Sequence, residues 1–299
     1  MNEASPKQTV ELGAVQETLL IPLISRAEET KKANGLVNDP RAVEIVESLD
    51  YDFDKWRRHP AILAGACVRT RMFDLITERF LADYPAGTIV EIGCGLNTRF
   101  ERLDNGEATW FDLDLPDSIA LRRRYFEDEE RRTMLAGNVV DQAWLEQVLA
   151  AGGPYLFLSE AVLVYLEETV VREAIIQITT RCSPAWLVTD VAAAKLATPE
   201  YAAKSRKRMG IRAWFAWGCD DARSPENWHP GIKLLSAESF SDAPDEIVAR
   251  MPTIFRVLTR YAPWIARWMT KDYRIAHYQL SAKPSDGPVR VERQNALAP

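Results

Sequence analysis

The chain has 299 residues, 47% of them hydrophobic, with 43 acidic against 37 basic side chains and a formal net charge of −6. That acidic balance argues against a nucleic-acid substrate, whose phosphates need a basic face, and the apolar fraction suffices for one large α/β domain. No apolar run approaches the ~18 residues of a membrane span, and the first residues lack the basic start and apolar core of a signal peptide; no membrane is expected as a partner, and the cytoplasm is the expected compartment. Cys67, Cys94, Cys182 and Cys219 are scattered without a Cys-x-x-Cys pair, so neither a disulfide framework nor a zinc site is indicated.

Residues 1–12 are polar and read as disordered. The span 13–85 reads as an N-terminal helical cover. Val15, Leu19, Leu23 and Ala27 share one helical face, Asp39-Pro40 starts a helix over 40–49, and 61–83 carries Ile62, Ala66, Phe73, Ile76 and Phe80 before Tyr84-Pro85 stops it. Strands are then predicted at 88–92, 109–113, 133–136, 155–159 and 185–190, alternating with helices at 117–127, 142–150 and 167–181. That alternation predicts a doubly wound parallel sheet with its ligand at the carboxyl ends of the strands. The basic run at 121–124, with Arg131 and Arg132, reads as a solvated helix face. Residues 195–235 break the rhythm with Trp214, Phe215, Trp217 and Trp228 and read as a helical lid insertion; strands at 252–258 and 273–282 around a helix at 261–270 close the domain. The polar end, 284–299, reads as a disordered tail.

The motif that carries chemistry begins at Ile89-Val90-Glu91-Ile92, a buried strand running straight into Gly93-Cys94-Gly95, and ends where Trp110 and Phe111 lead to Asp112 and Asp114. A glycine turn after one strand and an acid about 20 residues on, at the end of the next, is nucleoside-binding geometry. The glycines admit close approach of backbone to ligand, and the acid accepts hydrogen bonds from a ribose diol. A nicotinamide dinucleotide site would want a third glycine where Leu96-Asn97-Thr98-Arg99 stands.

Four pieces in order, CVRTRMFD (67–74), VEIGCGLNTRF with FDLDLP, AGNVVD (136–141) and LFLSEAVLVYL (156–166), with HYQLSAK (277–283) at the end, resemble the leucine carboxyl methyltransferase family and its bacterial polyketide O-methyltransferase branch of the tetracenomycin type. The resemblance implies a class I methyltransferase, a Rossmann-like doubly wound sheet with S-adenosylmethionine as cofactor and S-adenosylhomocysteine as product. It implies Gly93 under the methionine moiety with Gly95 also at the cofactor, Asp114 on the ribose with Asp112 facing away, and Asn138 with Val139 on the adenine. Glu160 matches the carboxylate near the cofactor's amino group, and an acid in so apolar a run implies a partner. For the cofactor carboxylate Arg69 matches best, then Arg71, then Arg26; a guanidinium suits that pairing better than an ammonium. Tyr165 matches a tyrosine placed at the acceptor.

The chain has three histidines, His59, His229 and His277, and of these only His229, in the lid, is placed to reach an acceptor as a base. No cluster has metal-ligand spacing. A carboxylate acceptor, ionised at neutral pH, needs only positioning, whereas a phenol benefits from a base. The scarcity of bases therefore favours a carboxylate of a small aromatic or polyketide-like molecule, with hydroxyl methylation as the alternative. In the protein-directed branch an arginine stands where this chain has Val140, which weighs against a protein C-terminus as acceptor. Two readings lie outside this class: a nicotinamide oxidoreductase, and a non-catalytic carboxylate-binding or scaffold protein that keeps the fold without turnover. The oligomeric state is left open.

Overall fold

The computed structural model describes residues 8–9, 16–209 and 213–283. Apart from Gln8–Thr9, which bridges to Leu49–Asp50, the tail expectations for 1–12 and 284–299 lie outside the described residues. Seven strands form one sheet: β1 (Thr88–Ile92), β2 (Thr109–Asp114), β3 (Arg132–Ala136), β4 (Tyr155–Ser159), β5 (Ala185–Ala192), β6 (Ile232–Ser239) and β7 (Tyr273–Leu280), in the order β3-β2-β1-β4-β5-β7-β6. The first five are parallel, and β7 lies antiparallel between β5 and β6. Strand order reverses between β1 and β4, and a crevice opens at such a switch point.

Period-two alternation decides the two faces. Val90 and Ile92 join Phe111, Leu113 and Phe157 in one core, filled by α6 (Gln142–Ala151) and α7 (Glu168–Arg181). Ile89, Trp110, Leu156 and Leu158 point the other way, onto Phe73 and Phe80 of α3 (Pro60–Asp83) and Phe100 of α4 (Arg99–Leu103). A third core joins α1 (Leu20–Thr30) and α2 (Pro40–Ser48) to Cys94 and Leu96 and to Ile119 and Leu121 of α5 (Pro116–Arg122), so the N-terminal helices close over the glycine turn. Asp39 caps α2 as its position before Pro40 predicts, accepting the Ala42 N–H at 2.9 Å.

Two expectations fail in the C-terminal third. Residues 252–258 are not a strand: Thr253–Tyr261 is a helix, α9, along which Ile254, Val257 and Tyr261 recur at i, i+3 and i+7. The missing strand is β6, whose first residues fall inside the range read as lid. The rest of that range holds α8 (Pro199–Met209) and an irregular stretch anchored to the sheet by Cys219 N–H on the Ala192 carbonyl at 2.7 Å. The basic run is only partly a solvated face: Arg123 and Arg124 are exposed, but two of its arginines are not. Arg122 is buried, donating to Asp112 at 2.7 Å and to the carbonyls of Gly95 and Asn97 at 3.1 and 2.6 Å, and Arg132 is buried against Glu129 at 2.8 Å. Asp112 does face away from the crevice, and its work is to hold the arginine that clamps the glycine turn from behind.

Candidate active site

A cavity of about 1030 Å³ opens at the carboxyl ends of β1, β2 and β4, roofed by α1 and α3. Gly93 and Gly95 both have positive φ, +70° and +48°, the left-handed region that costs any side chain strain. A Cβ on Gly93 would lie 2.3 Å from Val162 Cγ2, so the turn can exist only around bare backbone. Across the mouth of that turn, Asp114 accepts the Gly95 N–H at 2.7 Å on one oxygen and the Leu115 N–H at 2.7 Å on the other. Burial pushes its carboxyl up from the usual aspartate range against the pull of those two donors. Asn138 and Val139 line the same end; the Asn138 carbonyl oxygen accepts the Val140 N–H at 3.3 Å, and Val139 is buried.

Glu160, just past β4, is not a lone buried acid. One oxygen accepts from Arg69 Nε at 3.0 Å and Thr70 Oγ1 at 2.8 Å, the other from Arg99 Nη2 at 2.7 Å. Burial alone would raise it, but the two guanidinium groups hold it at about 2. Arg99 is fully buried and also donates to Asp74 at 2.8 Å and to Glu91, so one cation joins β1, α3 and the end of β4. Sequence reasoning missed Arg99, Asp74 and Glu91 as a unit. The available signal was an arginine directly after the glycine turn in an otherwise buried segment.

Two further residues were missed. Tyr273, on β7, accepts from Arg69 at 3.3 Å and lines the cavity. Asp190, on β5, is wholly buried and accepts the Ala161 N–H, while its other oxygen, Oδ1, has no hydrogen-bond partner. Burial pushes it up to about 6, with Glu160 adding to the rise and Arg69 opposing it. Ala161 sits at φ +56°, unusual for a residue with a Cβ; its bond to Asp190 holds the backbone that carries Val162 under Gly93.

Of the sequence-predicted residues, Gly93, Gly95, Asp114, Asn138, Val139, Glu160, Arg69 and Tyr165 share the cavity wall. Arg26 reaches the wall too, but its guanidinium is taken by Asp39 and the Leu96 carbonyl, both at 2.7 Å, where it braces the glycine turn. Arg71 is not brought in, pairing instead with Glu78 at 2.5 Å. Nor is His229, whose Nδ1 accepts the Gly231 N–H at 3.0 Å in the turn before β6, outside the cavity wall. The lid aromatics divide. Trp217 is core and packs on Trp228, Trp214 is 56% exposed, and Phe215 alone of the four reaches the cavity, 5.3 Å from the Tyr165 ring and 6.0 Å from that of Tyr273.

The sequence matches the leucine carboxyl methyltransferase family over residues 20–179, more than half of the chain. The chain belongs to that family. It is similar to the tetracenomycin polyketide synthesis O-methyltransferase TcmP of Streptomyces glaucescens, 29% identical over 238 residues that cover 79% of this chain and 87% of that one. It is also similar to the S-adenosyl-L-methionine-dependent methyltransferase dpfgK of Gibberella zeae, at 28% identity over 76% of this chain and 83% of the other. In fold it resembles a presumptive methyltransferase from Thermobifida fusca, with a TM-score of 0.51 at 15% identity over 86% of this chain and 94% of that one.

The methyltransferase is therefore an enzyme dependent on S-adenosylmethionine, with a class I methyltransferase fold, and the nicotinamide reading falls. Its walls fit that cofactor. The Gly93 cradle is one a single Cβ would fill, a half-buried acid ends β2, and an arginine and a carboxylate stand side by side, complementary to a zwitterionic amino acid.

Proposed function

We propose that this methyltransferase esterifies a carboxylate on a small aromatic or polyketide-like molecule. Gly93 and Gly95 would admit the cofactor's backbone-hugging end, Asp114 its ribose, and Asn138 with Val139 its adenine. Arg69 would take its carboxylate and Glu160 its ammonium. The bound cofactor supplies an electrophilic methyl on sulfur; the chain's own residues align the acceptor and exclude water, and alignment can contribute roughly 7–11 kcal/mol.

The observation that supports a carboxylate is the absence of a free base among the described residues of the cavity wall. No histidine lies there. Burial pushes Tyr165 up to about 12 and also raises Tyr273 well above its ordinary value. Glu91 and Glu160 are committed to arginines, Asp114 to two backbone N–H groups and Asp272 to Lys195 at 2.7 Å. A carboxylate arrives already ionised, so an aromatic wall of Tyr165, Phe215 and Tyr273 needs only to hold it in line. The likeness to a polyketide O-methyltransferase supports a flat, apolar acceptor. Four buried, unpaired cysteines support the cytoplasm, where thiols stay reduced.

The test is transfer of radiolabelled methyl from S-adenosylmethionine into the small-molecule fraction of a source-organism lysate, followed by mild alkali. Label released as methanol is the expected result and means an ester. Alkali-stable label would overturn the carboxylate reading in favour of a hydroxyl, and label confined to protein would overturn the small-molecule reading.

A further inference from the structure

The two helices before β7, α9 and α10 (Pro263–Thr270), turn an apolar face outward. Ile254, Val257 and Tyr261 line one side of α9, and Trp264 and Trp268 stand four residues apart on α10; they are 74, 48, 76, 72 and 69% exposed. The inner side of the pair is satisfied: Phe255 packs on the core behind α3 and Ala266 is buried. Nothing in the fold therefore requires five large apolar side chains in water, and exposed apolar surface concentrated on two adjoining helices marks a docking surface.

The charge around the patch selects its occupant. Between residues 250 and 271 there are five cations, Arg250, Arg256, Arg260, Arg267 and Lys271, and no acid, in a chain whose net charge is −6. All five are exposed; Arg267 has only a 3.6 Å approach to Asp242. A second copy docking face to face would set these cations against their own images. Tryptophan and tyrosine beside arginine and lysine on amphipathic helices suit the boundary of an anionic bilayer, where indole rings sit at headgroup level and cations meet lipid phosphate. No helix among the described residues is long and apolar enough to cross a membrane.

We infer that the α9–α10 hairpin docks the enzyme onto the surface of an anionic lipid bilayer. The docked face adjoins the catalytic cavity, because Met269 and Thr270 of α10 line the cavity wall. Docking thus sets the cavity mouth beside the bilayer, from which an apolar acceptor can enter without crossing water. That route rests on the small-molecule reading above; the docking itself does not.

The test is flotation of the full chain with vesicles of phosphatidylcholine alone and with about one-third phosphatidylglycerol, the latter also carrying brominated acyl chains to quench nearby tryptophan. Binding to the anionic vesicles only, with quenching and with loss in high salt, is expected. Trp264→Ser/Trp268→Ser and Arg256→Glu/Arg260→Glu should each weaken partitioning at least about tenfold. Both should leave the melting temperature and S-adenosylhomocysteine binding intact, because none of the four side chains touches the cavity or the core. No binding to either vesicle, or binding unchanged in both variants, would overturn the inference. So would a parental dimer that the tryptophan variant dissolves, which would give the face to a second copy. A product that proves not to be a small molecule would remove the acceptor route while leaving the vesicle result standing.

Discussion

The two ends of the cavity are built on opposite plans. At the end proposed for the cofactor nearly every polar side chain is already engaged: Glu160 between Arg69 and Arg99, Arg99 on Asp74 and Glu91, and Asp114 on two backbone N–H groups. These groups come from strand ends and from the helices locked over them, where a short displacement is resisted by close packing. At the end proposed for the acceptor the wall is Tyr165, Phe215, Phe240 and Tyr273, supplied by a 3-10 turn, an irregular segment, the turn after β6 and the start of β7. One end is specified by charge in fixed places, the other by shape and aromatic surface. A fold can keep the first constant while the second is refitted to a new acceptor.

The largest effect should come from breaking the charged end. Arg99→Leu leaves Asp74, Glu91 and Glu160 buried around a missing cation, and removal of one partner from a buried ionic cluster costs about 3–5 kcal/mol. Urea denaturation should show that loss, or the variant should fail to accumulate as soluble protein. A loss under about 1 kcal/mol would mean the cluster is solvated and the contrast between the two ends overstated.

Next comes the glycine turn. Gly93→Ala drives a methyl into Val162 and keeps a strained φ, so calorimetry should find S-adenosylhomocysteine bound at least about tenfold more weakly. Adding Val162→Ala removes the two methyl clashes but leaves Cβ at 3.1 Å and the strained φ, and should restore only part of that affinity.

A third test uses pH, because two neighbouring acids have shifts of opposite sign. Glu160 is held at about 2, so its stabilising contribution is present above the ordinary glutamate range and is lost as pH falls toward 2. Asp190 is raised to about 6, so the folded state gains from its proton; that contribution is present below the ordinary aspartate range and is lost as pH rises through about 6. Asp190→Asn, whose side-chain oxygen can still accept the Ala161 N–H, should flatten the fall in stability between about pH 4 and 6, by about 1–3 kcal/mol. Thermal melts across that range check it.

The smallest effect belongs to the aromatic end. Phe215→Ala should leave folding and S-adenosylhomocysteine affinity unchanged and raise KM for the acceptor, since a partly exposed ring packed on two tyrosines contributes about 0.5–1.5 kcal/mol. Steady-state kinetics with the identified acceptor would show it.

What was legible in the sequence follows the same division. The first five strands, the glycine turn and Asp114 were readable because each is a local pattern: an apolar run, a turn residue, an acid at a strand end. Arg99, Asp74 and Asp190 were not, because their roles come mainly from partners that lie 25 to 61 residues away and meet only when the sheet forms, with Glu91 alone nearby in sequence. Arg122 looked like one member of a charged run, yet it is the residue that faces inward, a consequence of where α5 docks. The exchange of strand and helix near the C-terminus has a different cause. Thr253–Tyr261 is rich in β-branched and aromatic residues while Ile232–Ser239 carries Leu, Ala and Glu, so local preference pointed the wrong way and tertiary pairing with β7 decided.

The division of the cavity is tested most directly by titrating S-adenosylhomocysteine into the parent, Asp114→Ala and Phe215→Ala. Loss of hydrogen bonds to a charged acceptor should weaken Asp114→Ala about tenfold to a hundredfold, with Phe215→Ala within about twofold of the parent. Parental affinity in Asp114→Ala, or an equal loss in both variants, would contradict the account.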